Sequence, residues 1–354
     1  MSRYFSDKYS SLTPYVPGEQ PKDMRYVKLN TNESPFPPSA KALERAAEAA
    51  KRLMLYSDPE CTELTCVASQ RLGVEMDEIL FTNGSDEALN FAFMAFCDDQ
   101  HPAVFPDITY GFYSVFAQLN RVPYRQIPLQ DDFSIRVDDY MGVHGTVFIA
   151  NPNAPTGLMM NLDSIEQILQ GNPDNVVVID EAYVDFGGVS ALPLIHKYDN
   201  LLVVQTFSKS RSMAGARLGF AAGCKELIRD LKTIQYATNP YNVNSMTMAA
   251  GIGALEDDDY FRYNCRTVIE NREWTRAVLQ ENKFTVLDSA SNFLFAKHNT
   301  VPGEELYRSL KEKGVLVRHF AKPRLSDYIR VTVGSKEQME VFLEKVKEIL
   351  EENP

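Results

Sequence analysis

No stretch of the sequence approaches the roughly 20 apolar residues that a membrane-spanning helix needs. The opening MSRYFSDKYSSLTPYVPG holds no apolar core of signal-peptide length. A cytoplasmic protein without a membrane partner is the expectation. Cysteine is scarce: Cys61, Cys66, Cys97, Cys224 and Cys265 are odd in number and form no C-x-x-C pair, as suits a reducing compartment and a chain that needs no disulfide staples. The histidines, His101, His144, His196, His298 and His319, are scattered without H-x-x-H or H-E-x-x-H spacing, so no metal site is expected. Also missing are a G-x-S-x-G nucleophile elbow, a G-x-x-x-x-G-K-[ST] phosphate loop, internal repeats and long blocks of one charge sign. A net charge of −12 argues against nucleic acid or anionic lipid as partner, and any anion site must be local.

What is present is an ordinary globular composition, 44% apolar and 11% aromatic over 354 residues, enough for two domains. Residues 1–30, with Pro14, Pro17, Gly18 and Pro21, read as an extended arm. KALERAAEAAKRLMLY, from Lys41, has helical spacing. Strand-like and helix-like segments then alternate: EILFT runs through NGSD into an apolar helix, TVFIA into NPNAPTG, VVVID into EAY, and LLVVQTF into SKSRS. Strands apolar along their whole length predict an α/β fold, a mostly parallel sheet sandwiched by helices over residues 31–240. Beyond PYNVNSM the pattern changes to long polar helices and short strands, predicting a smaller α+β domain over 241–354, closed by the helix KEQMEVFLEKVKEILEEN.

The chemistry-bearing residues gather where ligands collect in such sheets, beyond the carboxyl ends of the strands. Asp180 closes VVVID, where an unpaired carboxylate is costly to bury and calls for a cation. The protonated nitrogen of a pyridoxal 5'-phosphate (PLP) ring would serve, since a ring so held is an electron sink for a carbanion. Lys209, in TFSKSRSMAGARLGF, would anchor the cofactor aldehyde and then act as general base; that requires a pKa lowered by burial or neighbouring positive charge. Tyr183 could donate to the ring oxygen. For the phosphate, Gly84 permits a close approach, Ser85 and Asp86 open a helix with free N–H groups, Ser208 supplies a hydroxyl and Arg217 a planar fork. Singly, each residue has an ordinary explanation: a capped turn, a polar strand end, a surface lysine, a salt-bridge arginine. Their order and common placement after strands carry the reading.

The segments LNTNESP (29–35), NGSDE (83–87), TYGFY (109–113), NPNAPTG (151–157), DEAYVDF (180–186), TFSKSRSMAGARLGF (206–220) and IRVTVG (329–334) resemble those of the fold-type I PLP aminotransferases, and within them the branch acting on histidinol phosphate. The resemblance implies the aspartate-aminotransferase-like fold. In it Lys209 is the cofactor's covalent anchor, Asp180 binds the ring nitrogen, Tyr183 the ring oxygen, and Tyr110 stacks on the ring. Gly84, Ser85, Thr206, Ser208 and Arg217 would hold the phosphate, reached by Tyr56 from a neighbouring subunit, so a homodimer is implied. Relatives carry an asparagine where Ala154 stands, leaving Asn153 as a substitute. Arg211, close to Lys209, has either a surface role or a local effect on that lysine.

Arg330 matches the arginine that takes a substrate's carboxylate. With Arg318 it would suit the phosphate of histidinol phosphate, enclosed by Tyr15 and Asn32. The function so implied is transfer of the amino group of L-histidinol phosphate to 2-oxoglutarate. An aromatic amino-acid aminotransferase, a threonine-phosphate decarboxylase-like enzyme and a PLP-binding regulator without turnover stay open as alternatives.

Overall fold

The computed structural model describes residues 2–10 and 12–352; Met1, Ser11, Asn353 and Pro354, which the expected arm and C-terminal domain include, lie outside the described residues. The arm is irregular apart from a 3-10 turn at Asp7–Tyr9, and leads to the short strand β1 (Val27–Lys28). Seven strands, β2 (Ile79–Thr82), β3 (Ala103–Pro106), β4 (Tyr124–Ile127), β5 (Thr146–Ala150), β6 (Val177–Asp180), β7 (Leu201–Thr206) and β8 (Gly219–Gly223), form one sheet in the order β2-β8-β7-β6-β5-β3-β4. All pairs are parallel except those of β8, which runs antiparallel to both neighbours. Its first residue, Gly219, therefore sits opposite Thr82 and Thr206, the last residues of β2 and β7. This reversal brings Arg217 to the same edge as Asp180 and Lys209.

Helices α1 (Ala40–Ala50), α2 (Thr62–Leu72), α3 (Ser85–Phe96), α4 (Phe112–Asn120), α5 (Leu162–Gly171), α6 (Lys225–Thr238) and α7 (Ser245–Glu256) cover the sheet. Alternate residues of each strand feed opposite cores. Val177, Ile179, Leu201 and Val203 join Ile165, Ile168 and Met248 on one face. Val178, Leu202 and Val204 join Leu89, Phe93, Phe116 and Leu231 on the other. Strands covered twice have no polar face to show, which is why they read as continuous apolar runs.

A second, antiparallel sheet has the order β12-β13-β10-β9, built from β9 (Phe284–Val286), β10 (Phe293–His298), β12 (Arg318–His319) and β13 (Ile329–Thr332). The strand β11 (Val315–Leu316) pairs in parallel with β1 instead. Helices α8 (Asp258–Glu281), α9 (Gly303–Glu312) and α10 (Lys336–Glu352) accompany this sheet; its core contains Leu279, Leu306, Phe342 and also Leu29, just after β1. The chain thus passes from the smaller sheet at residue 29 into the larger unit and returns. The division expected near residue 240 precedes α7, yet Met248, Ile252 and Leu255 of α7 lie in the core of the large sheet. There α7 packs so closely on α1 that a Cβ on Gly253 would come within 2.5 Å of the Lys41 carbonyl oxygen.

Three further strands escape the sequence pattern for separate reasons. β3 is short and ends in proline, β4 is a largely exposed edge, and β8 (GFAAG) lacks β-branched residues. The helix from Lys41, expected to reach Tyr56, stops at Ala50. Helices this short are held by packing, and Leu53, Met54, Leu55 and Tyr56 are exposed. Among the described residues, no helix is long and apolar enough to cross a membrane.

Candidate active site

A cavity of about 940 Å³ opens at the carboxyl edge of the large sheet, walled on the other side by the arm and the smaller sheet. Asp180 and Lys209 both line it, delivered by the ends of the adjacent strands β6 and β7. Asp180 is buried; its carboxylate accepts from the Tyr113 hydroxyl at 3.0 Å and the Ala182 backbone N–H at 3.2 Å. No cation among the described residues pairs with it, and burial pushes its pKa up to about 7 against the lowering effect of Tyr113. Among the described residues Lys209 has no carboxylate within contact, and its Nζ donates only to the Thr31 carbonyl, at 3.4 Å. Burial, then the charge of Arg330, pushes its pKa down to about 8, with Glu33 and Asp86 opposing. The lowered lysine that the sequence chemistry requires is therefore present.

The anion cradle forms where β2, β7 and β8 meet. Ser85 and Asp86 begin α3, Thr206 ends β7 and Ser208 lies just beyond it, and Arg217 precedes β8 in a left-handed conformation (φ 55°). Gly84 itself lies behind the cavity: a Cβ there would sit 2.5 Å from the Arg217 guanidinium, so the missing side chain gives the arginine its path. Arg217 pairs with Asp86 at 2.9 Å, and Tyr110 donates to the other Asp86 oxygen at 2.7 Å. The Thr206 hydroxyl donates to Ser208 at 3.0 Å. Helix N–H groups, hydroxyls and a guanidinium converging at one place could hold a phosphate.

Tyr183 lies edge-on to Phe293, and the Lys209 Nζ is 5.8 Å from its ring centre. The Asn32 amide donates to its phenol oxygen at 3.0 Å. Arg330, from β13, extends beside Phe293 and Phe320 and donates to the Asn30 carbonyl at 3.2 Å, while its Nε is buried without a partner. Arg318 reaches the arm carbonyls of Val16 and Pro17 at 3.2 and 3.3 Å. Neither arginine has a carboxylate partner among the described residues, and Tyr15, stacked on Phe112, completes that wall.

Two expected residues stand elsewhere. Asn153 is turned from the cavity, its amide committed to the Ile108 carbonyl and the Thr156 hydroxyl, both at 3.0 Å, and Ala154 faces the cavity in its place. With its amide so engaged and its side chain outside the cavity lining, Asn153 is not placed to stand in for the missing asparagine. Tyr56 is 86% exposed and stacks on Tyr241, away from the cavity within the single chain. Asn32 lines the cavity, and both ends of its amide are engaged, by Tyr183 and Thr332. Arg211 points the other way, donating to the Ala254 carbonyl at 2.7 Å and packing on Phe261. The sequence reading missed Tyr113 as the partner of Asp180; its place one helical turn after Tyr110 in TYGFY was the available signal.

The description "Aminotransferase class I and II" matches residues 25–346 of the chain. The chain belongs to this aminotransferase family. Among relatives of this aminotransferase, the histidinol-phosphate aminotransferase of Brachyspira hyodysenteriae is 49% identical over 352 residues, 99% of each chain. That of Clostridium beijerinckii is 45% identical over 354 residues, covering 100% of this chain and 99% of the relative. A solved histidinol-phosphate aminotransferase from Sinorhizobium meliloti, in complex with pyridoxal-5'-phosphate, superposes with a TM-score of 0.89 at 22% identity over 100% of this chain and 99% of its own, a likeness of fold. The aminotransferase thus has the expected architecture, with a mostly parallel sheet and a smaller antiparallel one. Its cavity also fits that cofactor's chemistry: a buried carboxylate without a cation, a phosphate cradle and a lysine of lowered pKa face one space.

Proposed function

We propose that this aminotransferase uses PLP to transfer the amino group of L-histidinol phosphate to 2-oxoglutarate, giving imidazole acetol phosphate and L-glutamate. The observation that carries the cofactor assignment is that Asp180 and Lys209, neither with an ionic partner among the described residues, line one cavity. When bound, PLP supplies an aldehyde that takes up the substrate amine and a ring that spreads the charge developing at the adjacent carbon. Asp180 holds the ring nitrogen protonated. Arg217, Ser85, Thr206, Ser208 and the first N–H groups of α3 hold the phosphate, and Tyr110 covers the ring.

Lys209 would anchor the aldehyde, and its amine would be the group that moves a proton at the substrate carbon. Burial and the charge of Arg330 hold its pKa down at about 8 in the empty site, so the neutral amine is more accessible there than in an exposed lysine. Arg330 and Arg318 take the substrate's phosphate and, in the second half of the cycle, a carboxylate of 2-oxoglutarate. Tyr15 and the arm cover the bound molecule.

The active unit is a cytoplasmic homodimer. Leu53, Met54, Leu55 and Tyr56 form a contiguous exposed apolar stretch, of the kind that marks a protein contact, and Tyr56 reaches the phosphate of the partner's site. Borohydride reduction followed by peptide mapping should place a pyridoxyl label on Lys209; a label elsewhere, or none, would overturn the cofactor assignment. A comparison of kcat/KM for histidinol phosphate, phenylalanine and tyrosine tests the substrate. Dominance of the aromatic amino acids would instead assign the chain to the aromatic branch.

A further inference from the structure

Asn32 is buried in a left-handed conformation (φ 55°), ahead of α1 and next to the smaller sheet. Four hydrogen bonds fix it. Its backbone N–H donates to the Thr332 hydroxyl at 2.9 Å, its Oδ1 accepts from that hydroxyl at 3.1 Å, its carbonyl accepts from the Asn292 amide at 3.0 Å, and its Nδ2 donates to the Tyr183 hydroxyl oxygen at 3.0 Å. The direction of the last bond follows from the others. The Thr332 hydroxyl accepts from the Asn32 backbone and could accept once more, but among the described residues its own proton has no acceptor other than Oδ1. The oxygen end of the amide therefore faces Thr332, and the nitrogen end faces Tyr183.

A phenol that accepts a bond on one side must send its proton to another. Among the described residues no acceptor takes the Tyr183 proton, and its ring lines the cavity. We infer that Asn32 is a positioning residue: by donating to the Tyr183 oxygen it aims the tyrosine's only proton into the cavity, at the ring oxygen of the bound cofactor. A carboxylate or any other acceptor at position 32 would draw that proton away. The inference rests on the proposed cofactor and on Tyr183 as partner of its ring oxygen.

The measurement is the pH at which the visible band of the lysine-bound cofactor changes wavelength, read on the loaded enzyme without substrate. A hydrogen bond donated to the ring oxygen stabilises that oxygen's charge when the neighbouring nitrogen has lost its proton, so weakening the donor moves the midpoint to higher pH. Lys209, Arg330, Arg217, Asp180, Asp86 and Glu33, the charged groups acting on this region, are the same in every variant. Asn32→Gly removes the amide where glycine tolerates the left-handed backbone. It should raise the midpoint by about one pH unit, and Asn32→Asp, equal in shape but an acceptor, should raise it further. In a Tyr183→Phe background Asn32→Gly should add nothing.

A midpoint that stays put or falls in Asn32→Gly, or an equal rise with and without the Tyr183 hydroxyl, would overturn the inference. Should Asn32→Gly fail to fold, Asn32→Ala, which also removes the amide without adding a charge, decides by the same comparison in the Tyr and Phe backgrounds. Absence of the visible band from the wild type would instead overturn the cofactor assignment, so the two failures are distinct.

Discussion

Asp180 sits at a cost to the empty enzyme. Its pKa is raised from 3.8 to about 7 by burial, so the folded protein without cofactor favours the protonated carboxyl. The stability this group contributes is complete below the unfolded pKa and is lost as pH rises toward 7. Asp180→Asn keeps the shape and cannot ionise. The cofactor-free variant should therefore exceed the cofactor-free wild type in stability by on the order of 4 kcal/mol at pH 8, with the difference closing near pH 4. Thermal melts of both proteins at the two pH values check this. Glu181, also raised to about 7 by burial, is present in both and cancels. Turnover should be lost in the same variant, because its amide cannot hold a protonated ring nitrogen. For Arg330, two charge-assisted bonds to the substrate anion are at stake, and Arg330→Ala should lower kcat/KM for the phosphate substrate by about 10- to 200-fold per bond. Arg330→Lys should recover only part of this, since the ammonium keeps the charge but not the fork. Recovery to wild-type rates would remove the two-pronged contact.

Which residues were legible follows from where they stand. Asp180, Lys209 and Arg217 each adjoin a strand end, and one sequence window shows both the strand and the residue. Tyr113 and Asn32 act through hydrogen bonds to residues 67 and 151 positions away, and no local spacing records such pairs. Asn153 failed for the opposite reason: the right turn was found, but the side to which each of its residues points is a property of the backbone.

At the level of elements, the doubly covered strands were legible because burial on both faces leaves a continuous apolar run, whereas edge strand β4 and the glycine-rich β8 left none. The placement of α7 was hidden for a related reason. Its apolar residues surround the helix, so it shows no stripe to say which core it joins. Its attachment rests on the small residues facing α1. Gly253→Ala puts a methyl within 2.5 Å of the Lys41 carbonyl and 2.7 Å of the Ala42 Cα. Backbone cannot yield as a side chain can, so the helices must separate, at about 1–3 kcal/mol. Urea unfolding should show the midpoint falling by the corresponding amount with its slope unchanged. An unchanged midpoint would mean that the α1 and α7 contact is looser than drawn.

For the molecule as a whole the decisive question is whether one chain suffices. A single chain supplies Lys209, Asp180, Arg217 and Arg330 to one cavity but leaves Tyr56 exposed beside Tyr241, with Leu53 to Leu55 bare before it. If Tyr56 serves the neighbour's phosphate, the two functions belong to different subunits and can be separated genetically. Lys209→Ala alone should be inactive, and Tyr56→Ala alone should bind cofactor weakly. Mixed and allowed to exchange subunits, they form hybrid dimers. In each hybrid one site combines the intact lysine of one chain with the intact tyrosine of the other, while the second site has neither. Random pairing makes half the dimers hybrid with one good site each, so activity should return to about a quarter of the wild-type value at low cofactor concentration. If Tyr56 acts within its own chain, no pairing restores a complete site, and the mixture should show only the residual activity of the tyrosine variant.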